Sequence, residues 1–374
     1  MKAIQLEKPR HFRIVEVTEP PAPGPGEILV SVHRVGICGT DIGGFLGKMP
    51  YFSYPRIPGH ELGVEVLALG EGVTNVRVGQ RGSVEPYLNC GHCYSCRCGH
   101  TNCCESNQTL GVHCDGGLRP RFLIPARKLH TSAKLTFEQL ALVETLAIGC
   151  HAVYRGRPKP ANMHEVDPEM RKTFGKLGIS LEEQKRLSGG AVEHILVIGA
   201  GPIGLSAVEF ARLSGARTIV MDMNEARLRF VREQIRVPDT ILTHSDGAEL
   251  KTLLELTNGQ LADVVIDATG HNLSMGHALN YCAFGGRLVY VGITQHEVSF
   301  PHAAIMHRRE LSISASRNAL PGEFTRIIQL IENGQLDTRP WITHQAGFNN
   351  MIDAFQSWIL PETGVIKAMV EIDI

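Results

Sequence analysis

Residues 194–204 read HILVIGAGPIG, a short apolar run that ends in a glycine-rich turn, and this stretch decides the fold. Gly199, Gly201 and Gly204 in it have the spacing G-x-G-x-x-G. Between a strand and a helix, such glycines permit a tight bend, the close approach of a pyrophosphate and close packing of the helix on the strand. The amino terminus of the helix then faces the phosphate charge. The stretch therefore predicts a dinucleotide-binding turn.

Asp222 supports this prediction, because it ends the next apolar run, 23 residues after Gly199. An acid at that place accepts hydrogen bonds from ribose hydroxyls and repels a 2′-phosphate, which favours NAD over NADP. Pro202 and Ile203 belong to the same turn and are included among the predicted cofactor contacts. Arg227 is a further candidate for a phosphate contact, although an arginine at a helix start is more often a solvated charge. The alternative is a plain glycine-rich turn without a nucleotide.

The alternation of apolar runs and helical stretches continues beyond the turn. Compact apolar runs lie at 195–200, 218–222, 262–268 and 285–292. Helices are expected between them, at about 203–214, 225–236 and 273–283. Strands and helices that alternate in this way form a parallel sheet covered on both faces. We therefore expect an α/β fold with a doubly wound parallel-sheet domain.

The regions on either side of this domain have a different character. The first 150 or so residues contain short strand-like runs separated by proline and glycine, which is typical of a β-rich domain. The polar segment that follows is expected to be a helical insertion, and the tail to contain a helix at 322–334 and a strand at 366–372. The predicted divisions are 1–154, 155–191, 192–304 and 305–374.

The composition excludes several classes of protein. The 374 residues are 43% hydrophobic and 20% charged, which is ordinary for a globular chain with a sizeable core. Lys and Arg number 37 and Asp and Glu 38, so the net charge of −1 lacks the basic excess of a nucleic-acid or membrane-surface binder. The start, MKAIQLEKPRHF, lacks the apolar core of a signal peptide. We expect a cytoplasmic protein with no nucleic-acid and no membrane partner.

Six of the ten cysteines are concentrated in one short lobe at about 88–106. Four of them have the spacing C-x2-C-x2-C-x7-C, at Cys90, Cys93, Cys96 and Cys104. Four thiolates bind zinc in a closed tetrahedron, with Zn–S distances of about 2.3 Å, and leave no position for a substrate. We therefore expect structural zinc in this lobe. The alternatives are buried free thiols, an iron–sulfur cluster, or Cys103 as the fourth zinc ligand in place of Cys104.

Further potential metal ligands are scattered along the chain. They are Cys38 in GICGTD, His60 and Glu61 in PGHELGVEV, and Glu144 in ALVETLAIGC. Each has an ordinary explanation as a small buried thiol, a turn histidine or a surface acid. A catalytic zinc, however, needs protein ligands of mixed sulfur, nitrogen and oxygen type and one open position. Spacing alone does not join these residues into one site.

In its motifs the chain resembles the zinc-dependent medium-chain alcohol and polyol dehydrogenases, especially the branch of sorbitol, threonine and galactitol-phosphate dehydrogenases. GICGTD, GHE, the four-cysteine lobe, LVIGAGPIG and the closing IKAMVEI follow in the family's order, over nearly the whole chain outside 155–191. The resemblance implies a GroES-like β-rich catalytic domain interrupted by a Rossmann domain, with the active site in the cleft between them. It also implies a homodimer or homotetramer.

The resemblance further implies roles for single residues. Cys38, His60 and Glu144 match the catalytic-zinc positions of the family. Glu61 matches an acid that either binds the metal or stands just behind it. Thr40 matches a hydroxyl that bonds the substrate alcohol.

Other positions either extend this match or depart from it. Asp41 matches an acid that orients the zinc-ligating histidine, and Asn318, in SASRNAL, lies in a stretch that returns to the cofactor.

Family members commonly have a histidine shortly after CGTD, where this chain has Gly43 and Gly44. The proton then leaves either through ordered water in the space beside the glycines or through a histidine from elsewhere in the chain. We expect the water route.

The sequence therefore predicts an NAD-dependent oxidoreductase with one catalytic and one structural zinc ion. It would transfer a hydride from a secondary alcohol of a polyol, sugar or sugar acid. The alternatives are a catalytically inactive nucleotide-binding or structural member of the same fold, and another substrate, such as a simple alcohol or a 2-amino-3-hydroxy acid. A zinc-free reductase of the same superfamily would lack Cys38 and the GHE motif, and a zinc-ribbon nucleic-acid module would carry basic and aromatic residues in the lobe.

Overall fold

The computed structural model describes residues 1–157, 193–244 and 247–372. From residue 158 onward, the helical insertion expected at 155–191 lies outside the described residues. The chain divides into two units. Unit 1 consists of Met1–His151 and Arg317–Ile374, and unit 2 is Ala152–Ser316. The chain therefore leaves unit 1, forms unit 2 and returns.

The described residues contain seventeen strands and nine α-helices. The strands are β1 (Lys2–Lys8), β2 (His11–Glu16), β3 (Glu27–Ile37), β4 (Glu61–Leu69), β5 (Arg81–Val84), β6 (Tyr87–Leu88), β7 (Gln108–Thr109), β8 (Arg121–Pro125), β9 (Leu129–Thr131), β10 (His194–Ile198), β11 (Arg217–Asp222), β12 (Thr240–Leu242), β13 (Ala262–Asp267), β14 (Cys282–Tyr290), β15 (Ser312–Ala315), β16 (Ile342–Gly347) and β17 (Lys367–Glu371). The helices are α1 (Gly39–Phe45), α2 (Tyr94–Arg97), α3 (Phe137–Gly156), α4 (Pro202–Leu213), α5 (Glu225–Phe230), α6 (Ala248–Leu256), α7 (Asn272–His277), α8 (Pro321–Glu332) and α9 (Met351–Trp358).

Unit 2 is built on a parallel sheet with the strand order β12-β11-β10-β13-β14-β15. β10 is central, and its two neighbours lead away from it in opposite directions, as in a doubly wound sheet. All five residues of β10 are buried, because a central parallel strand is covered on both faces. The predicted Rossmann domain is confirmed.

The glycine-rich turn has the conformation that its sequence requires. Gly199 has a φ of +96°, which a residue with a side chain rarely adopts. A methyl group added at Gly204 would lie 1.7 Å from the carbonyl oxygen of Gly199, so only glycine lets the helix pack this closely on the strand. Gly201 caps α4, and Pro202 occupies its first turn, where its missing N–H costs no hydrogen bond.

The division between the units differs from the predicted one at two points. The last strand of the unit 2 sheet is β15, which pairs with β14 from Arg287↔Ser312 to Tyr290↔Ala315. Residues 305–316 therefore belong to unit 2 rather than to the returning tail that was expected to begin at 305. The sequence did not reveal β15 because SISA is short and only half-buried. The first division lies after His151, three residues before the predicted end at 154.

Unit 1 is a β-rich domain around a mixed sheet of order β16-β17-β3-β4-β5-β9, with β8 also paired to β3. The long strand β3 is its centre, and β4 and β17 lie antiparallel on its two sides. β17 comes from the end of the chain, so the C-terminal segment completes the sheet that the N-terminal segment begins. A buried core of aliphatic and aromatic side chains fills this unit.

Helix α3 approaches the unit 1 sheet at one strand. A methyl group added at Gly63 of β4 would lie 2.1 Å from the carbonyl oxygen of Phe137, so glycine is needed where the helix begins. Glu144 lies two turns further along α3 and is buried.

Within the part of the chain that the structure describes, no helix is both long and apolar enough to cross a membrane.

Candidate functional site

Three of the scattered potential ligands meet in unit 1. One donor atom each from Cys38, His60 and Glu61, the donor trio, lies within 4.8 Å of the other two. Cys38 follows β3 directly, and Glu61 opens β4, which pairs with β3 at Gly36↔Glu61. A methyl group added at Gly36 would lie 2.1 Å from Oε2 of Glu61, so the absence of a side chain there makes room for the carboxylate.

Asp41 holds the loops of the donor trio together. Its Oδ2 accepts the backbone N–H of Cys38 at 2.9 Å, and its Oδ1 accepts that of Gly59 at 3.4 Å. Oδ1 also lies 3.8 Å from Nδ1 of His60, which is buried without a hydrogen-bond partner. Burial raises the pKa of Asp41 above its ordinary value. The expected orienting acid is therefore next to the histidine, at more than hydrogen-bond distance.

The surroundings of His60 favour a positive charge. Burial alone lowers the pKa of His60, but the nearby Asp41, Cys38 and Glu144 outweigh it and raise this pKa well above its ordinary value. The same negative groups would favour a bound metal cation. A thiol, an imidazole and a carboxylate close together are the donor set of a catalytic zinc ion. The residues of the donor trio thus fit the metal that the sequence predicts.

A lysine that the sequence analysis did not single out neutralises Glu61. Nζ of Lys367 donates to both carboxylate oxygens of Glu61, at 2.6 and 2.8 Å, and to the carbonyl of Ile37 at 3.3 Å. Both side chains of the pair are fully buried. Burial lowers the pKa of Lys367, but Glu61 and Cys38 outweigh it and raise the pKa overall. The sequence contained one indication of this pair, a lysine in the apolar closing motif IKAMVEI. A charge buried among apolar residues needs a partner.

Glu144 lies outside the donor trio, although the resemblance matches it to a zinc ligand. Its Oε1 accepts a hydrogen bond from the hydroxyl of Tyr87, another residue that the sequence analysis missed. Burial raises the pKa of Glu144, and the field of His60 opposes this shift. Burial and the Glu144 carboxylate raise the pKa of Tyr87 well above its ordinary value. The role of Glu144 as a direct ligand stays a prediction.

The space beside Gly44 is filled and that beside Gly43 is not, so the expected water route stays a prediction. A methyl group added at Gly44 would lie 2.7 Å from the ring of Phe52. At Gly43 the same test gives 3.5 Å to the side chain of Met49, which is ordinary contact. The ring of Phe52 therefore occupies the place that a side chain on Gly44 would take. Thr40, the expected substrate-bonding hydroxyl, is half-buried in the first turn of α1.

The four cysteines of the predicted structural zinc site come together. Donor atoms of Cys90, Cys93, Cys96 and Cys104 lie within 4.8 Å of one another. Backbone N–H groups of Cys93 and Cys90 point at the sulfurs of Cys90 and Cys104, both at 3.3 Å. Backbone hydrogen bonds from Glu105 and Cys96 lower the pKa of Cys93 to about 6, which favours the thiolate. Cys103 is exposed and is not part of this group.

Asp222 supports the glycine-rich turn of unit 2. Its Oδ2 accepts the backbone N–H of Ala200 at 2.5 Å, and its Oδ1 accepts that of Asn224 at 2.7 Å. Nη1 of Arg227 lies 3.6 Å from the position that a methyl group on Gly201 would take. The acid and the arginine are therefore both at the predicted turn, and their contacts with a nucleotide stay predictions.

Asn318, the remaining predicted cofactor residue, belongs to unit 1. It has a φ of +53°, and its Nδ2 donates to the carbonyl of Asn102 in the cysteine-rich lobe, at 3.2 Å. Nδ2 of Asn102 in turn donates to the carbonyl of Arg317 at 2.9 Å. These bonds tie the returning chain to the lobe, and the cofactor contact of Asn318 stays a prediction.

Comparison with known proteins gives consistent matches along the chain. The family profile described as "Alcohol dehydrogenase GroES-like domain" matches residues 24–134, and the one described as "Zinc-binding dehydrogenase" matches residues 202–333. L-galactonate-5-dehydrogenase of Escherichia coli K12 is 31% identical over 99% of this chain and 98% of its own length. L-arabinitol 4-dehydrogenase of Aureobasidium melanogenum is 28% identical over 93% of this chain and 88% of its own. The crystal structure of an alcohol dehydrogenase (rspB) from E. coli CFT073 with NADH superposes with a TM-score of 0.84 at 28% identity, covering 100% of this chain and 99% of that one.

Proposed function

Because this chain belongs to the zinc-dependent medium-chain alcohol and polyol dehydrogenase family, we propose that it oxidises a secondary alcohol of a polyol, sugar or sugar acid and transfers the hydride to NAD. The observation that carries this proposal is the donor trio, in which His60 and Glu61 are buried and Cys38 is half-buried. L-galactonate-5-dehydrogenase and L-arabinitol 4-dehydrogenase are named for a sugar acid and a polyol, and they support the substrate class.

The residues of the donor trio would hold the catalytic zinc ion. Bound there, zinc would act as a Lewis acid on a substrate hydroxyl and favour its deprotonation. Asp41 keeps the Cys38 and Gly59 loops together and lies beside the imidazole of His60. Lys367 balances the charge of Glu61. These contacts hold the ligands in place before substrate binds, so that less reorganisation is needed during the reaction.

The hydroxyl of Thr40 is the group that we expect to take the proton of the substrate. It lies two residues after Cys38, in the first turn of α1, and it is partly accessible. Replacing Thr40 by Val keeps the shape of the side chain and removes the hydroxyl. It should therefore lower turnover far more than it lowers stability.

NAD is the proposed hydride acceptor. The strand–turn–helix of unit 2 presents backbone N–H groups and a helix amino terminus to a pyrophosphate. The carboxylate of Asp222 at the end of β11 would accept the ribose hydroxyls, with Arg227 near the phosphates. The NADH-bound structure of the rspB dehydrogenase supports this choice of cofactor.

Two further properties belong to this proposal. The cysteine-rich lobe would hold the structural zinc on Cys90, Cys93, Cys96 and Cys104, with no substrate position. We propose a cytoplasmic homodimer or homotetramer. The four cysteines of the lobe are grouped as metal ligands, which favours a reducing compartment, and the oligomer rests on the resemblance.

A substrate panel tests the proposal. Polyols, sugars, sugar acids, simple alcohols and a 2-amino-3-hydroxy acid are offered with NAD or NADP, and reduced cofactor is followed near ~340 nm, where reduced nicotinamide absorbs. Oxidation of a polyol or sugar acid that is lost in Cys38→Ser supports the function. Turnover of simple alcohols alone would shift the substrate class. Zinc and nucleotide binding without any turnover would favour the catalytically inactive alternative.

A further inference from the structure

Two acids of unit 1, Glu61 and Glu144, are buried, but only Glu61 is part of the donor trio. The charge of Glu144 is one of the causes that raise the pKa of His60. The two acids also differ in their partners. The ammonium of Lys367 binds both oxygens of Glu61, whereas the phenol of Tyr87 binds one oxygen of Glu144.

The position of the Tyr87 hydroxyl is set by parts of the protein outside the donor trio. Tyr87 belongs to β6, which pairs with β7 at Tyr87↔Thr109. Its ring packs edge-on against Phe324 of α8, with 6.3 Å between the ring centroids. The side chain is 3% exposed, as is that of Glu144. A neutral phenol is a hydrogen-bond donor and a carboxylate an acceptor, so this buried contact fixes the rotamer of Glu144.

This contact matters because a catalytic zinc needs an open position. Three protein ligands with a fourth position for water or substrate make a catalytic site, and four protein ligands make a closed, structural one. The donor trio already supplies three ligands. A second carboxylate that was free to turn toward the trio would compete with the substrate hydroxyl for the fourth position.

We propose that Tyr87 is a positioning residue that holds Glu144 away from Cys38, His60 and Glu61, and thereby keeps the fourth ligand position open to the substrate. This inference rests on the proposed function, since it concerns the same site. The phenol of Tyr87 holds back a competing acid and does not itself touch the reacting atoms.

The test replaces Tyr87 by Phe and uses Co²⁺ in the catalytic position of the full-length protein as a visible probe. In Tyr87→Phe, Glu144 loses its partner and is free to join the trio, so Co²⁺ should bind about tenfold more tightly in chelator competition. Added imidazole, which enters an open ligand position, should shift the visible cobalt absorption of the wild type and leave that of the variant unchanged. With an alcohol substrate, KM should rise while kcat at saturation changes little.

Tyr281 provides the matched control. Its hydroxyl also donates to a glutamate, Glu249, at 3.0 Å, and its side chain is 8% exposed, but it lies in unit 2, outside the donor trio. Tyr281→Phe should leave the Co²⁺ affinity and the response to imidazole as in the wild type. The double variant Tyr87→Phe/Glu144→Gln should also bind imidazole, because the amide is a poor ligand and cannot close the site.

Glu144→Gln keeps the test decisive if Tyr87→Phe does not fold. The proposal replaces the ligand role that the resemblance implies for Glu144. Glu144→Gln should therefore retain the Co²⁺ affinity and the response to imidazole. A loss of affinity of tenfold or more in Glu144→Gln, or weaker Co²⁺ binding in Tyr87→Phe, would overturn the proposal. Absence of alcohol oxidation by the wild type would count against the proposed function, while the cobalt measurements would still decide the role of Tyr87.

Discussion

At the scale of single residues, the buried charges of unit 1 occur in partnered groups. Glu61 has Lys367, Glu144 has Tyr87, and Asp41 has two backbone N–H groups. An unpaired charge in such a place would cost several kcal/mol in desolvation. The partners therefore determine where the oxygens of these acids lie.

Lys367→Met should expose the cost of leaving Glu61 without its cation. Removing one partner of a buried ion pair costs about 3–5 kcal/mol of unfolding free energy. A zinc ion bound to Glu61 would offset part of this cost, so the loss should be larger after a chelator has removed the metal. Urea unfolding of the metal-free protein measures it, with Lys367→Arg as the charge-retaining control. Equal stability of the metal-free wild type and Lys367→Met would contradict the role of the pair.

Asp222→Ser should weaken the preference for NAD over NADP. The variant loses hydrogen bonds to the ribose and the repulsion of a 2′-phosphate, so KM for NAD should rise about tenfold while KM for NADP falls. Initial rates with both cofactors measure this change. Glu225→Ser is the control, because Glu225 is the next acid along the chain and forms an exposed pair with Arg232. A wild type that uses NADP as well as NAD would refute the assignment.

At the scale of elements, the segment after α1 packs closely against one of the two adjacent glycines of this helix. Gly44 of α1 lies against the ring of Phe52, and Tyr54 donates to its carbonyl. The chain segment that follows α1 therefore fills the space beside Gly44, while the route of the proton, through water or through a histidine, stays a prediction.

Gly43→Ala and Gly44→Ala should differ in stability although the two residues are adjacent. Both gain roughly 1 kcal/mol in helix propensity. At Gly43 the new methyl group meets Met49 at an ordinary 3.5 Å, whereas at Gly44 it meets the Phe52 ring at 2.7 Å. Overpacking of that kind costs about 1–3 kcal/mol, so Gly44→Ala should be the less stable protein. Thermal unfolding of the two variants compares them directly, and a higher melting temperature for Gly44→Ala would be inconsistent with this packing.

At the scale of the whole molecule, the two proposed metal sites have different tasks, and each should be removable on its own. The wild type should contain two zinc ions per chain. Cys38→Ser should keep one zinc and a near-native melting temperature but lose turnover, because its site serves the reaction. Cys93→Ser should lose the other zinc and melt at a lower temperature, because its site holds the lobe together.

Elemental analysis and thermal unfolding check both variants. Cys98→Ser is the control, since Cys98 lies in the lobe but is exposed and outside the group of four. It should retain two zinc ions. Equal loss of folding in Cys38→Ser and Cys93→Ser would contradict the division of tasks.

What the sequence by itself determined depends on residues that are near one another along the chain. The glycine-rich turn, the alternating strands and helices of unit 2 and the four-cysteine spacing are local patterns, so they could be predicted before the structure. The group of four cysteines is of this kind, since its members span only Cys90 to Cys104. The resemblance then ordered the scattered motifs but did not show what surrounds them.

The surroundings of the candidate site were decided only by the tertiary structure. Cys38 and Glu61 meet because of the register between β3 and β4, and Lys367 reaches Glu61 because β17, from the end of the chain, pairs with β3. Lys367 and Glu61 are 306 residues apart along the chain, and Tyr87 and Glu144 are 57 residues apart. Burial makes each of these pairings necessary, because a charge or hydroxyl withdrawn from water needs a partner. Which partner it finds depends on strand register and helix placement, and neither leaves a local pattern in the sequence.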